Sequence, residues 1–216
     1  EYLNYDPQNP TWVGRDRFYL DPGHMAPMLY AQLALIGKYS LEELAQLRQW
    51  GSPTTGHPEF EVARGVENTS GPLGQGHTFA VGAAIAAKFL AAHTGNPTFA
   101  KETIYAYISD GGIQEEISQG AARIAAVLGL DNLIMFYDSN DIQLSTETGE
   151  VMNEDTAAKY RALGWEVLEI NGNDAAEIRK AIEAAKAVTG KPTLIIGKCI
   201  MGKGALKADG TSYERN

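Results

Sequence analysis

The chain has a single cysteine, Cys199. It cannot form an internal disulfide, and a cytoplasmic, reducing compartment is expected. Cys199 lies in the apolar run 194–200 and reads as buried filler rather than as a nucleophile. Basic residues are also scarce, 18 Lys and Arg against 27 Asp and Glu, for a net charge of −9. That balance argues against nucleic acid or an anionic membrane as a partner. It leaves room for an anionic ligand, because backbone N–H groups and a metal ion can bind one locally. No stretch is long and apolar enough to cross a bilayer. There is no Gly-x-Gly-x-x-Gly, and the Gly-rich run at 71–76 lacks the Lys-Ser/Thr of a phosphate-binding loop. Neither a signal peptide nor a methionine opens the chain, and the expectation is a fragment truncated at both ends.

At 216 residues, with 44% hydrophobic and 21% charged, one domain with a sizeable core is expected. Residues 1–23 read as an extended entry segment, with a short strand at 17–20. Residues 25–36 are apolar enough for a buried helix. Ser40-Leu41-Glu42-Glu43 has the pattern of a capping box opening a helix that runs to about Trp50. Residues 51–71 are long and irregular, as functional loops often are. A helix over 74–92 is rich in Ala and Gly, which suits close internal packing or a subunit interface. Strands at 103–109, 133–138, 165–170 and 193–200 then alternate with helices at 115–128, 154–163 and 175–188. Asp174 is placed to cap the last of these helices. This alternation predicts an α/β fold: a parallel sheet with helices on both faces.

The most informative residues lie where strands end. Ser109-Asp110-Gly111-Gly112 follows one strand, and Asp138-Ser139-Asn140-Asp141-Ile142 closes the next. Asp110 and Asn140 are thereby brought to the carboxyl edge of one sheet, where open α/β sheets bind ligands. A carboxylate, an amide oxygen and a backbone carbonyl suit Mg²⁺ or Ca²⁺, which share such ligands with a diphosphate. Asp-Gly by itself is as readily a tight turn.

Four further clusters are candidates: Asp21-Pro22-Gly23-His24, Gly56-His57-Pro58-Glu59, the run Thr69-Ser70-Gly71-Pro72-Leu73-Gly74-Gln75-Gly76, and Gly202-Lys203-Gly204. Singly, each reads as a turn or a structural histidine. Together and in this order they resemble the transketolases, along with Asp16-Arg17-Phe18, Arg48-Gln49, Asp155-Thr156-Ala157 and Gly164-Trp165. The Asp110…Asn140 pattern is similar to the Gly-Asp-Gly, roughly thirty residues, then Asn motif of thiamine-diphosphate enzymes, with Ser109 in place of the first Gly. The deoxyxylulose-phosphate synthases and the E1 dehydrogenases share that metal motif; the Gly56 to Glu59 and Thr69 to Gly76 motifs are expected only of transketolases. The resemblance covers nearly the whole chain and matches the amino-terminal, diphosphate-binding domain of that family.

The resemblance implies the thiamine-diphosphate-binding fold and a set of roles. Asp110, Asn140 and the Ile142 carbonyl would hold the metal. Gly111 would approach the diphosphate. His24 would hydrogen-bond a diphosphate oxygen or the substrate end of the cofactor. Gly71 and Leu73 would line the aminopyrimidine and keep the cofactor bent, so that its own imino nitrogen can deprotonate the thiazolium. His57 would face the transferred carbons as a proton relay or hydroxyl donor, a role suited to histidine chemistry. Arg48 would take the phosphate of a sugar phosphate. Glu115 would join a network between two active sites at a dimer interface, or else be a solvated first-turn Glu. Glu116 and Gly120 depart from the family pattern around it, as does Ser109. The implied reaction is transfer of a two-carbon ketol unit from a ketose phosphate to an aldose phosphate by a full-length homodimer. A pyrimidine-binding domain, from the same or the partner subunit, would complete the site. The isolated 216-residue fragment is then expected to be inactive. The alternatives are one subunit of a split transketolase and a non-catalytic cofactor-binding domain.

Overall fold

The computed structural model describes residues 1–215. Five strands form one sheet in the order β1 (Arg17–Leu20), β2 (Ile104–Ser109), β3 (Leu133–Ser139), β5 (Thr193–Lys198), β4 (Glu166–Asn171). Every neighbouring pair is parallel, as the alternation of strands and helices requires. The helices are α1 (Ala26–Leu35), α2 (Leu41–Ala45), α3 (Gln75–Thr94), α4 (Pro97–Ala100), α5 (Asp110–Gln114), α6 (Glu116–Val127), α7 (Thr156–Leu163) and α8 (Ala175–Ala187).

Side-chain alternation along the strands divides the core in two. Ile104, Ala106 and Ile108 of β2 join Leu133, Met135 and Tyr137 of β3 beneath α3, α6 and α7. Tyr105, Ile134 and Ile195 face the other way, onto Ala181 and Ala185 of α8. A third cluster packs α1 on Leu20 through Leu29, Tyr30 and Leu33. Helices therefore cover both faces. The small residues of α3 let it lie close: Ala80, Val81, Ala84 and Ala87 are buried, whereas Phe79 and Phe89 are left exposed. Among the described residues no helix is long and apolar enough to cross a membrane.

Several boundaries differ from the sequence expectation. The helix expected over 115–128 is α6, within one residue at each end, but a separate short helix, α5, precedes it, divided from it by the extended backbone of Glu115 (φ −61°, ψ 135°). This short helix starts at Asp110, inside the expected turn. The capping box at Ser40 is present: Ser40 Oγ accepts from the Glu43 N–H at 3.2 Å, and the Glu43 carboxylate accepts from the Ser40 N–H at 2.8 Å. The helix it opens nevertheless ends at Ala45. A cap signals where a helix starts, and the chain needs Arg48 in a left-handed conformation (φ 64°) to turn back. The α1 helix is buried on one side only, with Leu35 and Ile36 exposed. Asp174 caps α8 as expected, accepting from the Ala176 and Glu177 N–H groups at 2.8 and 3.1 Å. Cys199 lies just past β5 and is only partly buried; burial still pushes its thiol up to about 12, so it is no thiolate nucleophile.

The amino edge of the sheet is held by charge. Arg15 donates from Nε and Nη2 to the two Glu67 oxygens at 2.7 and 3.0 Å, and Arg17 Nε donates to Glu102 at 2.5 Å. Arg15, Glu67 and Glu102 are buried. The fork geometry of arginine suits such desolvated carboxylates. The network ties the entry segment and residue 67 of the long loop to the start of β1. The carboxyl edge is thus left to the candidate functional residues.

Candidate active site

Parallel register brings the ends of β1, β2 and β3 side by side, with Leu20 opposite Tyr107 and Ser109 opposite Asp138. Asp110 therefore begins α5 at the centre of the carboxyl edge. It is 1% exposed. Its Oδ1 accepts from the Tyr137 hydroxyl at 2.5 Å and its Oδ2 from the Asn140 N–H at 3.1 Å. Burial still holds the Asp110 carboxyl above the ordinary aspartate range, against those two bonds. Asp138 and Asp141 push the same way. A buried carboxylate in a negative surrounding is an incomplete arrangement that a cation would complete.

Asn140 is oriented by its neighbours. Its Nδ2 donates to Asp138 Oδ1 at 3.4 Å, its Oδ1 accepts from the Ile142 N–H at 3.1 Å, and Asp138 is itself held by the Tyr107 hydroxyl at 3.1 Å. Asp141 takes a left-handed conformation (φ 63°) that turns the chain so Ile142 folds back over Asn140. Asp110, Asn140 and Ile142, named from the sequence as metal ligands, thus lie in one hydrogen-bonded group. Among the described residues no cluster of three or more His, Cys, Asp or Glu is arranged to hold a metal ion. One carboxylate, one amide and one carbonyl suit a hard cation that takes its other ligands from a diphosphate and water.

The second half of the site comes from loops. Asn68 and Ser70 stitch the irregular loop to β1: Asn68 Oδ1 accepts from the Leu20 N–H, while Asn68 Nδ2 and Ser70 Oγ both donate to the Leu20 carbonyl. This places Gly71 and Leu73 beside the other turns. Leu73 Cδ1 stands 2.9 Å from where a side chain at Gly111 would begin. A side chain at Gly23 would collide with His57 and approach the Gly71 nitrogen. Arg48 packs on Gly56. His24, His57 and Arg48 are exposed and close enough that His57 and Arg48 add to burial in holding the His24 imidazole below its ordinary range. An exposed mouth carrying the Arg48 guanidinium, over a buried, negative floor, can receive a ligand with an anionic end. Glu115 lies apart, exposed beside Gly74 and next to the exposed Ile117; Gly120 has open space around it. A cleft of about 430 Å³ is lined by Tyr137, Ser139 and Asp141 beside the Asn140 loop and by residues of α7, β4 and β5. Asp141, Glu154, Asp155 and Glu169 outnumber Lys198 in its lining, a poor match for a diphosphate.

The sequence reading gave no role to Tyr137, Asp138 or His77, and named Asp21 only within the Asp21–His24 turn. The first two stand in the same Phe-Tyr-Asp-Ser-Asn run as Asn140, a signal that was present. His77 gives none: it is one residue of a helix and becomes notable only because it is fully buried with neither ring nitrogen bonded. Its ring packs edge-on against Trp165, near Tyr160, and its backbone N–H donates to Asp21 Oδ1. Burial alone lowers its imidazole from 6.5 to about 4. The unfolded chain then takes up a proton near 6.5 that the folded chain refuses until about 4, so stability is lost as pH falls through that window. His77→Leu is expected to remove a loss on the order of 3 kcal/mol on acidification. Urea unfolding of both proteins at about pH 7 and about pH 4.5 measures it; equal acid sensitivity would contradict the expectation.

Comparison with known proteins agrees with this geometry. The family described as "Transketolase, thiamine diphosphate binding domain" matches residues 1–214. The chain is 44% identical to transketolase of Geobacillus stearothermophilus over 216 residues, covering 98% of this chain and 32% of that protein. It is 47% identical to transketolase of Streptococcus pyogenes, covering 98% of this chain and 30% of that protein. The crystal structure of transketolase from Campylobacter jejuni superposes with a TM-score of 0.90 at 45% identity, covering 94% of this chain and 32% of that one. Transketolase from Leishmania mexicana gives 0.89 at 40% identity, with 94% and 32% covered. The chain spans about a third of the length of these relatives. With a family match over nearly all its length and the same fold, this chain belongs to the transketolase family, as its thiamine-diphosphate-binding domain.

Proposed function

We infer that the complete protein transfers a two-carbon ketol unit from a ketose phosphate to an aldose phosphate, with thiamine diphosphate and Mg²⁺ or Ca²⁺ held at the carboxyl edge of this sheet. The observation that carries the reading is the buried Asp110 bonded to Tyr137 and Asn140. Asp110, Asn140 and the Ile142 carbonyl would hold the metal, and Gly111 would let the diphosphate approach the backbone. Gly71 and Leu73 would support the aminopyrimidine side. When bound, thiamine diphosphate supplies a carbon nucleophile and an electron sink for breaking and making the carbon–carbon bond.

The residues of this chain would do the rest. His24 would bind a diphosphate oxygen or the substrate end of the cofactor. His57 would carry protons or donate a hydrogen bond at the transferred carbons. Arg48 would bind the substrate phosphate as a planar cation at the mouth. A pyrimidine-binding domain of the same or a partner subunit would close the site. The exposed apolar residues of α3 and α6, including Phe79, Phe89, Ile124 and Val127, support a homodimer at full length. Glu115, exposed beside them, would link the two sites across that interface. The reading fits a cytoplasmic sugar-phosphate pathway. A coupled assay of the complete protein with a ketose phosphate and an aldose phosphate tests it: turnover should require both thiamine diphosphate and the divalent metal. No transfer with cofactor, metal and both sugars present would refute it.

A further inference from the structure

Asp21 is the first residue after β1, fixed to the sheet by its N–H donating to the Tyr107 carbonyl at 3.0 Å. It is fully buried. Its Oδ1 accepts from the Gly76 and His77 N–H groups at 2.9 and 3.3 Å, in the first turn of α3. Its Oδ2 has no partner. A side chain at Gly112 would strike that oxygen, and one at Gly76 would strike the Asp21 backbone. Asp21 is therefore wedged between two turns that touch it only because both carry glycine. One turn begins the helix that follows Gly71 and Leu73. The other lies two residues past Asp110. A buried carboxylate with one oxygen unpaired is costly. A polar but uncharged cap would serve the helix at less cost, so capping alone does not account for it.

We propose that Asp21 is a positioning residue: it sets the spacing between the Gly71–Leu73 turn and the Asp110–Gly112 turn, and so the width of the gap into which the cofactor fits. This rests on the reading of that edge as the thiamine-diphosphate site. The Leu73 contact with Gly111 is where the spacing is expressed. Asp21 touches no reacting atom and acts through the two turns.

The test is a double-mutant cycle in the complete protein. Thiamine diphosphate affinity at saturating Mg²⁺ is measured by calorimetry, well below the melting point of each variant. Asp21→Ala and Gly112→Ala should each weaken binding about tenfold or more. In the double variant the collision with Asp21 Oδ2 is gone and only the approach to the Ile108 side chain at 2.7 Å remains, so Gly112→Ala should cost less on top of Asp21→Ala than it does alone. Asp21→Asn, which keeps the shape and the acceptor, should restore binding to within about threefold. Amide exchange of Gly76 and His77 without cofactor should rise in Asp21→Ala and stay low in Asp21→Asn. Ile195→Val, destabilised on the opposite face of the sheet, should bind as the wild type does. Wild-type binding by Asp21→Ala, or strictly additive effects of the two substitutions, overturns the proposal while the cofactor reading stands. Should Asp21→Ala fail to fold, Gly112→Ala and Asp21→Asn decide it alone: tight binding by the first or weak binding by the second overturns it. Failure of the wild type to bind thiamine diphosphate overturns both.

Discussion

Asp110→Ala in the complete protein is expected to weaken Mg²⁺-dependent binding of thiamine diphosphate by at least about a hundredfold. The reason is the placement of this carboxylate. It is buried and held by a tyrosine hydroxyl and a backbone N–H, and its charge is uncompensated by any neighbouring cation. Removing it takes away the one formally charged ligand that the protein itself is expected to supply. The loss should not come from unfolding. Burial holds the Asp110 carboxyl above its ordinary range, so the ionised form is a burden on the metal-free fold. Asp110→Asn, which keeps the shape, should melt no lower than the wild type without metal and still bind poorly. Calorimetric titration with and without Mg²⁺, paired with thermal melts, measures both. Wild-type affinity in Asp110→Ala would remove Asp110 from the metal site.

His57→Ala is expected to lower ketol-transfer turnover by about 10²- to 10⁴-fold while leaving cofactor affinity close to wild type. His57 stands at the exposed side of the cluster, against Gly23 and near His24, away from the buried Asp110 group. A residue that handles protons at the transferred carbons should affect the chemical step more than binding of the diphosphate. Steady-state rates with both sugar phosphates, set beside the thiamine diphosphate affinity of the same variant, separate the two effects. A variant with normal turnover, or one that loses affinity and turnover together, would contradict the role given to His57.

Much of this architecture was legible in the sequence because it rests on local pattern. Apolar strands alternating with amphipathic helices dictated a parallel sheet, and strand ends then dictated which residues share its carboxyl edge. Asp110 and Asn140 were placed together on that logic, and their hydrogen bond realises it. The features that escaped depend on contacts between distant segments. The short helix α5 ends at Glu115, where Ile117, Glu115 and Ser118 pack against Gly74, far back in the chain. The capped helix after Ser40 stops early because Arg48 must turn toward Gly56, which no local signal announces. Asp21 was seen only as part of a turn, since its partners at Gly76 and Gly112 come from two other elements. His77 looked like an ordinary helical residue because only the tertiary fold buries it.

The role of the α3 and α6 surface follows from the same packing. Small residues turn inward to let the helices lie on the sheet and on each other, and this leaves their larger apolar residues facing out. An apolar face of that kind is usually covered in the working assembly. In a full-length dimer the covered face would adjoin the site, because Glu115 and Gly74 sit at its border.

The most direct measurement is the heat released when thiamine diphosphate is added to the wild-type complete protein, first with Mg²⁺ and then with the metal chelated. The account predicts saturable one-to-one binding that depends on the metal. Binding that is unchanged by chelation, or no binding at all, would contradict it.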